Sequence, residues 1–254
     1  MTFMKYKAIF LDLDGTTVKH ALETLPAPRV TQAINAAKKK IHVCLATGRS
    51  YLEVEKIFNH LDLSGPCVVA NGIQIYDPIT KKVIKETPLD KSLLPVINKV
   101  FKKYKLQSYV FDGTLESMYE NKANPPKILS IFSDTHLPKE IIDQVENELK
   151  QFSEIVVHKL ISIRVPGTFM LEICDKNATK LHGIIEIAKI LKIQTHEMIG
   201  VGDAYNDFPL LMACGLKIAM GNAVPELKAI ADFIAPSVDE DGVATVIEKF
   251  VLGK

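Results

Sequence analysis

Arginine is nearly missing from this 254-residue chain: of 31 basic residues only Arg29, Arg49 and Arg164 are arginine. Readout of base edges leans on arginine, and 30 acidic residues leave no basic excess. A nucleic-acid partner is therefore not expected. The dense lysine clusters, 38–40 and 102–105, fall near the ends of helical patterns, where lysines complement the helix dipole and stay solvated. The four cysteines, Cys44, Cys67, Cys174 and Cys214, show no C-x-x-C spacing and sit in apolar surroundings. They read as buried thiols, not as a disulfide framework or a zinc site. The histidines never fall at H-x-x-x-H spacing, and none is assigned to catalysis. No apolar run approaches the 18 or so residues of a membrane span. The short run that opens at Ala8 is interrupted by carboxylates, too soon for a secretory segment. No low-complexity segment or fixed-period repeat is present. The expectation is a soluble, cytoplasmic protein with no membrane partner.

What the chain has is a set of short apolar runs bounded by turn residues. Runs at 8–13, 41–46, 67–70, 198–201, 216–220 and 233–235 predict strands buried on both faces, the mark of a parallel sheet. Helical patterns at about 31–40, 51–61, 180–191, 207–213, 224–231 and 241–251 alternate with them. This predicts an α/β fold, a doubly wound parallel sheet. The middle of the chain differs. A helix near 91–105 precedes strand-like runs at 107–111, 115–119 and 128–133. A second helix, with Pro138 in its first turn, precedes runs at 155–158, 162–165 and 169–174. Helix then hairpins, twice over, predicts an inserted α+β module. The expected division is a core of 1–78 and 179–254 with an insert of 79–178, linked near Asp77 and Asp175.

Three strand ends carry chemistry, which is where open α/β sheets bind ligands. The first reads Asp12-Leu-Asp14-Gly15-Thr16-Thr17. Carboxylates two apart at a strand end face the same way, and packing them together costs free energy unless a cation offsets it. Gly15 then lets the backbone turn sharply. The second reads Ala46-Thr47-Gly48-Arg49-Ser50 running into a helix; a hydroxyl, a glycine and a helix start together form a phosphate cradle. The third reads Gly202-Asp203-Ala204-Tyr205-Asn206-Asp207. Its acidic and amide groups suit a hard cation and phosphate oxygens, whereas Tyr205 breaks a dinucleotide-binding pattern. Phe111-Asp112-Gly113-Thr114 repeats some letters of the first motif, but Val110 stands in place of the first carboxylate. It reads as a hairpin turn.

Taken in order, Asp12-Leu-Asp-Gly-Thr, Thr47-Gly-Arg, Lys180 and Gly202-Asp-Ala-Tyr-Asn-Asp207 resemble the four motifs of the haloacid dehalogenase superfamily. The resemblance is closest to its Cof-type (class IIB) sugar-phosphate phosphatases. Asn71-Gly72, the stretch 219–223 and the stretch 239–244 add to it. It covers most of 5–78 and 176–254, while the insert carries no comparable motif. One departure stands out: the family commonly has Lys-Gly in the third motif, and here Leu181 and His182 separate Lys180 from Gly183. Lys176 is a weaker candidate for the same role.

The resemblance implies a Rossmann-like core with a type-2 cap, a site between Thr47 and Lys180 in the chain where 133 positions leave room for one. It implies a phosphoric monoester hydrolase acting on a small-molecule phosphate ester through an aspartyl-phosphate. Asp12 would be the nucleophile and Asp14 the general acid and base. Mg²⁺ would be held by Asp12, the Asp14 carbonyl and Asp203. Thr47, Gly48, Lys180 and Asn206 would hold the phosphoryl group, with Asp207 supporting the metal waters or Lys180. The alternatives are a phosphomutase of the same superfamily or a catalytically silent phosphate-binding regulatory protein. Monomer and homodimer both remain open. Loop residues of the insert, Asn121, Lys122, Asn124 and Lys127, are candidates for setting specificity, and the linkers near Asp77 and Asp175 for hinges.

Overall fold

The computed structural model describes residues 5–19, 25–63, 65–120, 126–162 and 167–254. It divides into two compact units: Met1–Lys85 with Lys180–Lys254, and Glu86–Thr179.

The first unit begins with β1 (Ala8–Leu11), whose four residues are all buried. The chain continues through α1 (Pro28–Ala37), β2 (His42–Leu45), α2 (Tyr51–Leu61), β3 (Cys67–Val69), β4 (Gln74–Asp77) and β5 (Lys82–Glu86). In the second unit follow α3 (Leu94–Lys103), β6 (Tyr109–Phe111), β7 (Glu116–Met118), β8 (Ser130–Thr135), α4 (Lys139–Leu149), β9 (Ile155–Ile161) and β10 (Phe169–Asp175). The first unit resumes with α5 (Lys180–Leu191), β11 (Met198–Gly202), α6 (Phe208–Met212), β12 (Leu216–Ala219), α7 (Pro225–Ala229), β13 (Phe233–Ile234) and α8 (Gly242–Ile247).

The central sheet runs β13-β12-β11-β1-β2, and its pairings are parallel. Strands with apolar side chains on both faces need helices on both faces. From β1 the chain moves outward through β2, and from β11 it moves the other way through β12 and β13. The order therefore reverses between β1 and β11, the position where doubly wound sheets bind ligands. A bridge from Ala46 to Val68 ties β2 to β3, which forms an antiparallel sheet with β4 and β5.

Local sequence explains the helix that matters most for the site. Ser50 and Glu53 form a capping box at the start of α2, with Ser50 N and Oγ donating to Glu53 Oε2 at 2.7 and 2.8 Å. The Glu53 carboxylate thereby satisfies the Ser50 amide, a donor the helix start would otherwise leave orphaned. Lys38, expected to be solvated, instead donates to the Asp62 carbonyl at 2.7 Å, capping the far end of α2.

The second unit is an antiparallel sheet, β7-β6-β8-β10-β9, with its own apolar core that includes Ile97, Phe101, Ile142, Val145 and Leu171. The Asp112-Gly113 turn joins β6 to β7 as expected: Asp112 Oδ1 accepts from the amides of Thr114 and Leu115.

Several expected borders move. Residues 79–85 belong to the first unit, because β5 pairs with β4. Asp77 ends β4, so it is not a linker. Pro138 caps α4 from outside, at ψ 147°, and the helix starts at Lys139. Residues 155–161 form one strand, with Ser162 just beyond it. The rest of the run expected at 162–165 lies outside the described residues, as do Asn121, Lys122 and Asn124.

Candidate active site

Asp12 follows β1 directly, and its amide extends the parallel ladder by donating to the Val201 carbonyl at 2.9 Å. This carries the Asp12 carboxylate to the carboxyl edge of the sheet, beside the end of β11. Lys180, the first residue of α5, is 1% exposed. Its Nζ donates to Asp12 Oδ1 and Asp207 Oδ1, both at 2.6 Å. The other oxygen of Asp207 accepts from the amides of Asp203 and Ala204, at 2.9 and 3.0 Å. Asp207 is thus fixed at both ends and serves as the anchor of Lys180. The motif assignment of Lys180 places it in this buried cluster, whereas Lys176 is exposed.

Two glycines make the cluster possible. A Cβ on Gly202 would fall 2.6 Å from the Asp207 side chain. A Cβ on Gly183 would fall 2.9 Å from Val68, so the glycine of the third motif lets α5 lie against β3.

Carboxylate oxygens of Asp12, Asp203 and Asp207 all lie within 4.8 Å of one another, and all three residues are buried. Burial and the neighbouring Asp207 push the Asp12 carboxyl well above its ordinary range, and Lys180 only partly opposes them. Burial alone would lower the Lys180 ammonium, but Asp12 and Asp207 outweigh it and hold the pKa above its usual value. The cluster carries three acids against one lysine. Asp207 is committed to Lys180 and two amides, and the carboxylates of Asp12 and Asp203, which also accept protein hydrogen bonds, supply hard oxygen donors of the kind Mg²⁺ takes. The chemistry of this set fits a divalent cation.

Supporting contacts come from residues quoted in the motifs but given no part. Thr16 Oγ1 donates to Asp203 Oδ1 at 3.0 Å. Thr17 Oγ1 donates to the Asp12 carbonyl at 2.6 Å. Asn222 Nδ2 reaches both the Gly15 carbonyl, at 2.8 Å, and Asp203 Oδ2, at 3.3 Å.

Asp14 does not share the surroundings of Asp12. The chain turns at Leu13, with the amides of Thr17 and Val18 both donating to its carbonyl. Strand alternation therefore ends before Asp14. Its carboxylate meets Arg49 instead: Nε donates to Oδ2 at 2.9 Å, and Nη2 pairs with Oδ1. The Arg49 side chain is buried. No motif letter announces this two-pronged pair: in the sequence Arg49 is only the third letter of Thr47-Gly-Arg.

Thr47 is fully buried, and its Oγ1 accepts from the Arg49 amide at 3.1 Å. Asn206 Nδ2 donates to Asn71 Oδ1 at 3.4 Å. Thr47, Gly48 and Asn206 thus gather around Asn71, while Asp12 and Asp207 gather around Lys180 with Asp203 beside them.

This sheet order and this edge define a doubly wound, Rossmann-like α/β scaffold with an acidic site at its switch point, and comparison with known proteins agrees. The haloacid dehalogenase-like hydrolase family matches residues 9–157 and 113–247, and the chain belongs to that family. The phosphatase YwpJ of Bacillus subtilis is 28% identical, over 95% of this chain and 99% of its own. The phosphoglycolate phosphatase 1 of Saccharolobus solfataricus is 24% identical, over 98% and 97%. Among solved structures, a haloacid dehalogenase-like hydrolase from B. subtilis superposes with a TM-score of 0.81. It shares 23% identity, over 95% of this chain and 99% of that one.

Proposed function

We propose that this hydrolase is a phosphatase that cleaves a small phosphorylated metabolite, such as a sugar phosphate, through an aspartyl-phosphate on Asp12. The observation that carries the reading is the buried Asp12–Lys180–Asp207 cluster at the sheet edge, with Asp203 beside it. Relatives that bear phosphatase names over nearly their whole length support it.

In this reading an Asp12 oxygen attacks phosphorus, the bond to the leaving oxygen breaks, and Asp14 gives that oxygen a proton. Water then attacks the aspartyl-phosphate, with Asp14 taking its proton back, and phosphate departs. Lys180, Thr47, the Gly48 amide and Asn206 hold the phosphoryl oxygens, since positioning and charge stabilisation do most of the work in phosphoryl transfer. Arg49 keeps Asp14 in place between steps. Mg²⁺ would be held by the Asp12 and Asp203 carboxylates and the Asp14 carbonyl, and when bound it neutralises charge on the nucleophile and the incoming phosphate.

The test is hydrolysis of p-nitrophenyl phosphate by the purified protein in Mg²⁺. Activity should vanish in EDTA and in Asp12→Asn, and acid trapping should place the phosphoryl group on Asp12. Full activity in metal-free buffer, or a phosphoryl group mapped to Asp14, would overturn the assignment.

A further inference from the structure

Asn71 lies just beyond β3, in a turn where Ala70 (φ 47°), Asn71 (φ 53°) and Gly72 (φ 105°) all adopt left-handed backbone. Two consecutive non-glycine residues in that region are strained, and such strain persists only where the surroundings enforce it. Here the enforcement is visible. The Ala70 amide donates to the Arg49 carbonyl at 2.8 Å, and the Asn71 amide to the Thr47 carbonyl at 3.0 Å. The turn is thereby fastened to the loop that precedes α2.

The Asn71 side chain is 1% exposed. Its Oδ1 accepts from Asn206 and lies so near Gly48 that a Cβ there would meet it at 3.0 Å. Its Nδ2 is buried with no protein partner. A buried donor without an acceptor costs free energy, and the fastened turn holds this one against the loop and Asn206.

We propose that Asn71 Nδ2 binds substrate, donating to an anionic oxygen of the phosphoryl group held between Gly48 and Asn206. The inference rests on the phosphatase reading above. The ligand chemistry follows from the donor: an amide N–H needs an acceptor, and a dianionic phosphate ester offers acceptors only. Its neighbours agree, because Gly48 and Asn206 belong to the two motifs read as phosphate-holding.

The experiment measures competitive inhibition by inorganic phosphate of p-nitrophenyl phosphate hydrolysis, in the wild-type protein with Mg²⁺ and in two variants. Asn71→Asp keeps the shape and the acceptor for Asn206 but replaces the donor with an acceptor that repels phosphate. The inhibition constant and KM should both rise about tenfold or more, with a smaller change in kcat. Asn71→Gly keeps the left-handed backbone accessible and should raise the inhibition constant by about threefold or more. A merely structural Asn71 would lower Tm in the variants and leave the inhibition constant within twofold of wild type. That result in either folded variant overturns the proposal. A wild-type protein that neither hydrolyses p-nitrophenyl phosphate nor is protected by inorganic phosphate overturns the phosphatase reading itself, and this inference with it.

Discussion

Asp12 sets the behaviour of the site at the scale of single residues. Burial and Asp207 raise its pKa, so the folded, metal-free protein holds this proton more tightly than the unfolded chain does. The sign follows by linkage: this group adds stability at low pH that is lost as pH rises through the folded-state value. A bound cation must displace the proton. Added Mg²⁺ should therefore raise Tm, by more at about pH 8 than at about pH 5. Differential scanning fluorimetry across that range checks it, and a Tm indifferent to Mg²⁺ at every pH would count against the metal. Arg49 supplies a second prediction. Arg49→Met removes both donors from Asp14, leaving the acid free to wander. Turnover of alkyl phosphates, whose leaving oxygen needs a proton, should fall by about ten- to a hundredfold, and that of p-nitrophenyl phosphate much less. Equal losses on both would refute a positioning role. Asp12, Asp203 and Lys180 were legible because each stands at a strand end or helix start inside a recognisable run of letters. The partnership of Asp14 with Arg49 was not. It joins two loops 35 positions apart, and no local rule states which carboxylate a buried arginine will choose.

The elements of the parallel sheet were the easiest to foresee, since a strand buried on both faces announces itself as an unbroken apolar run. The β4–β5 hairpin escaped notice for the opposite reason. None of the residues Lys82–Glu86 is fully buried, so β5 carries no hydrophobic alternation for the eye to catch. At this scale Gly202 is the joint between β11 and the turn that follows. Gly202→Ala would thrust a methyl into Asp207 at 2.6 Å, displacing the anchor of Lys180. Overpacking of this kind costs about 1–3 kcal/mol. We expect a Tm lower by about 2–12 °C for a chain this long, together with a fall in kcat of at least about tenfold. A variant with wild-type Tm and kcat would show that Asp207 can yield without consequence.

For the whole molecule, the sequence revealed an insert but misplaced one of its borders. The run 79–85 is polar like a linker, and only its pairing with β4 assigns it to the first unit. In the proposed function, Asp12, Lys180, Thr47 and Asn206 recognise only the phosphoryl group, which all phosphate esters share. If that reading holds, preference among metabolites is expected from the second unit. Replacing residues 86–179 with a short Gly/Ser linker should leave measurable p-nitrophenyl phosphate hydrolysis and erase the ranking of physiological substrates. A folded variant with an unchanged ranking would locate specificity in the first unit.

The pairing of β1 with β11 also bears on how the protein is made. Ile9 lies opposite Ile199, and also opposite Val43 on the other side. The second neighbour is synthesised shortly after Ile9, but the first follows only after the whole second unit. Closing the longer loop costs roughly 1.5 kcal/mol more chain entropy than closing the shorter one. The nascent chain must therefore carry Asp12 on a half-covered strand until β11 arrives. Meanwhile the second unit, with an apolar core of its own, can condense first and spare β1 a search through a long floppy tether. Asp203 and Asp207 follow β11, so a product truncated before that strand would lack two of the three carboxylates of the cluster.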